Sequence, residues 1–117
     1  MTLPPVAIVA LTVTLLAVSN VFMTFAWYGH LKFKATPLLA VIFISWGIAF
    51  FEYLLQVPAN RIGHRVLSAA ELKTIQEVIT LTVFAVFSVW YLGEPLHWKH
   101  VIGFALIAAG AAVIFLA

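Results

Sequence analysis

The 117-residue chain contains no cysteine, which excludes disulfides and thiolate metal sites alike. Charge is almost as scarce. Lysine, arginine, aspartate and glutamate make up 9% of the sequence, against about 25% in a soluble domain. Hydrophobic residues reach 65%, where soluble domains hold roughly 45–50%. A soluble fold of this length cannot hide so much apolar surface, so the solvent implied is a lipid bilayer. The net charge of +2 does not indicate a nucleic-acid partner, because the basic residues are scattered over loops and form no patch interleaved with aromatics. No nucleophile elbow, phosphate-binding loop or metal-ligand spacing is present, and the loops are too short for a soluble catalytic domain. No enzyme activity, cofactor or metal is therefore expected. His97 and His100, three apart beside Glu94, come nearest to a metal pattern and read as solvated interfacial histidines.

What is abundant is long apolar runs. About 20 helical residues cross a hydrocarbon core. The pattern predicts an all-α membrane protein with four transmembrane helices, over about 3–28, 36–57, 69–92 and 98–117, forming one domain. Pro4 and Pro5 sit in the first turn of the first span, where proline is tolerated. The first span has no basic segment before it and exceeds the about 7–15 apolar residues of a signal peptide, so it is expected to be retained. Pro58 is expected to end the second span. Ser68-Ala69-Ala70-Glu71 reads as a capping box for the third, and Gly93-Glu94-Pro95 as the break before the fourth. Trp27, Tyr28, Trp90, Tyr91 and Trp98 fall near span ends, where aromatic belts lie.

Basic residues near span ends set orientation. Here Lys32, Lys34 and Lys99 lie on one side, and Arg61, Arg65 and Lys73 on the other. The balance leaves two readings open: insertion in both senses with pairing as an antiparallel homodimer, or one orientation chosen by other signals. The antiparallel dimer would supply the in-plane symmetry that larger transporters build from inverted repeats.

Ionisable residues within spans are functional-site candidates. Glu52 and Glu77 are two such residues, roughly 8 and 12 Å below their span ends at 1.5 Å per residue. Lys73 is one turn from Glu77 on the same face and is expected to pair with it, leaving Glu52 as the titratable group. Gln56 lies one turn from Glu52, and Gln76 flanks Glu77. Asn20 lies roughly 12 Å from the opposite surface, so an inverted partner would bring its Asn20 to the level of the two glutamates. Trp46 and Tyr53 could offer aromatic faces to an organic cation. Asn60, Arg61 and Arg65 in the second loop are candidates for contact with lipid headgroups or an anion. Equally, Glu52, Lys73, Gln76 and Glu77 suit a static network holding two helices together.

Leu92-Gly93-Glu94-Pro95-Leu96-His97-Trp98, followed by the small-residue run from Ile102 to Ala111, resembles the last helical hairpin of the drug/metabolite transporter superfamily. Gly103-x-x-Leu106-Ile107-x-x-Gly110 resembles the dimerisation helix of the small multidrug resistance transporters. Phe51-Glu52-Tyr53, Val57-Pro58-Ala59-Asn60-Arg61 and Leu72-Lys73-x-x-Gln76-Glu77 resemble a family of small four-helix membrane proteins of the same superfamily. The resemblance implies a bundle of that type, a homodimer joined through Gly103, Ile107 and Gly110, and transport of a small-molecule substrate. Packing within one bundle is the other use of those glycines. The small multidrug resistance transporters keep a coupling glutamate in their first span. This first span has no acid, only Thr12, Thr14, Ser19, Asn20 and Thr24, so their proton–drug exchange cannot be carried over. Three readings follow. One is a transporter of a small organic cation or polar metabolite in the inner (plasma) membrane, possible proton coupling falling to Glu52. The others are a flippase subunit for a lipid-linked substrate and a non-transporting helper of a larger membrane protein.

Overall fold

Two prolines set the start of the first helix in the computed structural model, which describes residues 3–116. Pro4 is extended and Pro5 opens α1 (Pro5–Tyr28), where the missing N–H has no partner to lose. A short 3₁₀ turn, Gly29–Lys32, leads to α2 (Leu38–Gly63). Next come α3 (Ala69–Trp90) and α4 (Trp98–Ile114). All regular structure among the described residues is helical, and α1, α2 and α3 are each long and apolar enough to cross a membrane. At 17 residues α4 is shorter, about 26 Å against a hydrocarbon core of about 30 Å.

The helix limits follow local chemistry. At the start of α3, Glu71 N–H donates to Ser68 Oγ at 3.1 Å, and Ser68 N–H donates to Glu71 Oε1 at 2.9 Å. Beyond its end, Gly93 adopts a φ of 71°, the left-handed conformation that favours glycine. At the start of α4, His97 N–H donates to His100 Nδ1 at 3.1 Å, so these histidines form a cap. Pro58 does not end α2, which continues to Gly63. Proline removes one backbone donor, and membrane helices tolerate such interruptions where neighbours compensate.

In space α1 lies between α2 and α3, and α4 packs mainly against α3. The bundle is therefore a flattened row, 49 × 36 × 19 Å. The buried side of α1 carries Ile8, Thr12, Leu16, Ser19, Asn20 and Thr24, largely a one-face helical spacing. Its hydroxyls are partly satisfied from within: Thr12 Oγ1 donates to Ile8 O and Thr24 Oγ1 to Asn20 O, each at 2.7 Å. Only Glu52, Ala59 and Gly63 of α2 are buried, and their spacing puts them on the face toward α1. Small residues at 59 and 63 let the backbones approach closely, the usual packing mode where lipid removes any hydrophobic drive between helices. The other faces of α2 expose Leu39, Phe43, Phe50 and Leu54, and α4 has no buried residue.

Candidate functional site

The interposition of α1 decides which polar groups meet. Glu52 faces α1 rather than α3 and is 1% exposed. Ser19 Oγ donates to Glu52 Oε1 at 2.6 Å, while Gln56 Oε1 lies 3.4 Å from the same hydroxyl. A serine hydroxyl has one proton, so the shorter contact takes it. Glu52 Oε2 is buried without a hydrogen-bond partner. One helical position on, Asn20 ties α1 to α3: Thr80 Oγ1 donates to Asn20 Oδ1, and Asn20 Nδ2 donates to Leu16 O at 2.8 Å. Ser19, Asn20, Glu52, Gln56 and Thr80 thus form a polar layer across three helices of one protomer.

Glu77 is not part of this layer. Its Oε1 lies 2.7 Å from Lys73 Nζ, and both side chains are substantially exposed on the outer side of α3. Trp46 and Tyr53 also point away from Glu52 within the protomer, at 68% and 62% exposed. The helical period of about 100° per residue explains this, since neither is a near-multiple of a turn from position 52. Gln76, Asn60 and Arg61 line an open groove between the end of α2 and the start of α3, whereas Arg65 lies in the turn after α2 and is exposed. Gly103, Ile107 and Gly110 lie on α4, and an added Cβ at either glycine would meet no atom within 4 Å.

The residue that sequence reasoning leaves out is Ser19. Its spacing in α1 puts it beside Asn20 on the buried face, but nothing in the sequence says that α2 lies there. Toward the other end of the bundle, aromatic rings lock α1 to α3. Phe25 stands edge-on to Phe87 and Tyr91 at 5.0 and 5.1 Å, Phe87 stacks on Tyr91 at 4.8 Å, and Tyr91 Oη donates to Gly29 O at 3.2 Å. Lys32 Nζ sits 4.5 Å from the centre of the Tyr91 ring, within the about 6 Å of a cation–π contact. Beside this cluster is a cavity of about 290 Å³, lined by Phe25, His30, Ser45, Ile48 and Tyr91 among others. Ile48 is one turn from Glu52 on α2, and Glu52 itself does not line the cavity.

Among known protein families, residues 12–115 match one described as "Putative member of DMT superfamily (DUF486)". No curated protein and no solved structure matches the chain. The match spans nearly every described residue, including the Ser19–Glu52 contact, the groove beyond it and the glycines of α4. The chain belongs to the DUF486 family of the drug/metabolite transporter superfamily, a group of membrane transporters.

Proposed function

We propose that the protein exchanges protons for a small organic cation or polar metabolite across the inner (plasma) membrane, as a homodimer with Glu52 as the coupling acid. The observation that carries this reading is the setting of Glu52, 1% exposed, with one oxygen bound by Ser19 and the other without a partner. Ionisable groups so placed in a membrane span are costly and mark ion or substrate paths. The second oxygen has no partner within the protomer and can carry a proton, and a cation reaches it only when the helices around it part. In the homodimer both Glu52 carboxyls release their protons to water as one monovalent cation arrives and regain them as it leaves, which couples the two fluxes and moves one net charge per cycle. The aromatic cavity lined by Ile48, one turn along α2, has chemistry suited to an organic cation, since aromatic faces attract such groups.

Three features support a dimer. The protomer exposes 7977 Å², against about 6,300 Å² expected of a compact monomer of this length. α4 buries none of its residues, and Gly103 and Gly110 leave open space where another backbone can approach. The Lys73–Glu77 pair is exposed on a membrane-spanning helix, where charged groups usually face protein or water rather than lipid. The even split of basic residues favours an antiparallel arrangement.

The test is capacitive current recording on proteoliposomes under an imposed pH gradient, with amines, guanidines and nucleobases as probes. The reading predicts a current above protein-free liposomes for at least one cationic probe. Silence across the whole panel would contradict transport of that class and leave the helper role standing.

A further inference from the structure

The groove between the end of α2 and the start of α3 has a volume of about 500 Å³ and belongs to neither the Glu52 layer nor the aromatic cavity. Its floor is apolar, with Val57, Ala69 and Leu72. Its rim is hydrogen-bond donating and basic, with Asn60, Arg61, His64, Lys73 and Gln76. Of the two acids nearby, Glu77 pairs with the rim's own Lys73 and Glu71 with the Ser68 cap, which leaves Arg61 as the uncompensated cation of the rim. Arg61 has no carboxylate within 4 Å among the described residues. His64 Nδ1 donates to Leu67 O at 3.0 Å, so its other ring nitrogen donates to an anion only when the imidazole is protonated.

The surface leading to this rim is apolar in a directional way. Phe50, Leu54, Val57 and Arg61 follow one another at four, three and four residues along α2, so they share one face. All four are exposed. A hydrocarbon stripe thus runs along the span and ends at an unpaired guanidinium where the helix leaves the bilayer. That is the complement of a phospholipid: acyl chains on Phe50, Leu54 and Val57, phosphate at Arg61. Guanidinium forks suit phosphate oxygens, and the amides of Asn60 and Gln76 add neutral donors.

We infer that this groove is a binding site for the phosphate headgroup of an anionic membrane lipid. A soluble phosphate ester would satisfy the rim but leave the stripe unused, and the stripe is what favours the lipid. The site does not depend on the transport reading.

Native mass spectrometry of the full-length protein with equimolar dioleoylphosphatidylglycerol and dioleoylphosphatidylcholine tests the inference. A cation near an anionic headgroup corresponds to about a fivefold preference. Phosphatidylglycerol adducts should therefore exceed phosphatidylcholine adducts by about that factor, and Arg61→Gln should abolish the excess. Arg61→Lys, which keeps the charge but loses the fork, should retain part of it, and Lys99→Gln, on a different loop, all of it. Val57→Asn provides a second variant acting through the stripe, and should weaken binding of both lipids. Equal adducts of the two lipids, an excess unchanged in Arg61→Gln, or displacement of phosphatidylglycerol by equimolar glycerol phosphate would each overturn the assignment.

Discussion

Replacing Gly63 with alanine places a methyl group where α1, α2 and α3 meet. A Cβ at this position lies 2.7 Å from Leu72 Cδ2, 2.7 Å from Thr12 Cγ2 and 2.9 Å from Thr12 Oγ1. Non-bonded carbons prefer about 3.5–4.0 Å, so something must move. Leu72 can swing the end of its side chain. Thr12 cannot easily do so: it is β-branched and stiff at χ1 in a helix, it is fully buried, and its hydroxyl donates to Ile8 O at 2.7 Å. The clash is therefore absorbed by separating α1 from α2, and such overpacking costs about 1–3 kcal/mol. Thermal unfolding in detergent, followed by circular dichroism, should show Gly63→Ala melting several degrees below wild type. Adding Thr12→Ala removes both of the rigid contacts, so the double variant should recover about 1 kcal/mol relative to the sum of the single losses. Unchanged melting of Gly63→Ala, or losses that simply add, would refute the three-helix contact.

Other substitutions separate structural from functional roles. Ser19→Ala strips Glu52 of its hydrogen-bond donor and should cost about 1–3 kcal/mol of stability. It should also move the pH profile of transport, whereas Ser19→Thr should restore that profile; a profile unmoved by Ser19→Ala would remove Ser19 as a positioning residue. Thr80→Val unties Asn20 and should cost about 0.6–1.7 kcal/mol, in line with hydrogen bonds between membrane helices, measured by the same melting assay. Gly110→Leu should abolish crosslinking of the homodimer while the protomer keeps its helical content, because α4 buries none of its residues; an undiminished dimer would exclude this helix as the interface.

Some of this was readable from the residues alone because the chemistry is local. The Ser68–Glu71 box and the Gly93 turn depend on residues within a few positions of each other. So does the Lys73–Glu77 pair, one turn apart on a single helix. The proline signal at 58 misplaces the helix end because it reports one lost donor, not the surroundings that make up for it. The site depends on which helices are neighbours, and chain order does not give that. Consecutive helices α2 and α3 suggest that Glu52 and Glu77 meet, but α1 lies between them and turns Glu52 toward Ser19. Asn20 likewise meets Thr80 within its own chain. A buried serine among apolar residues carries no signal of its own until the helix across from it is known.

The central claim is that Glu52, and not Glu77, carries the exchange. Its most direct test compares the proton-driven currents of Glu52→Gln and Glu77→Gln proteoliposomes, using whichever cationic probe gives a current with the wild type. Both variants keep side-chain size and lose only the charge. The account predicts that Glu52→Gln abolishes the current and that Glu77→Gln, whose carboxyl is exposed and paired with Lys73, retains most of it. A full-sized current from Glu52→Gln would contradict the account.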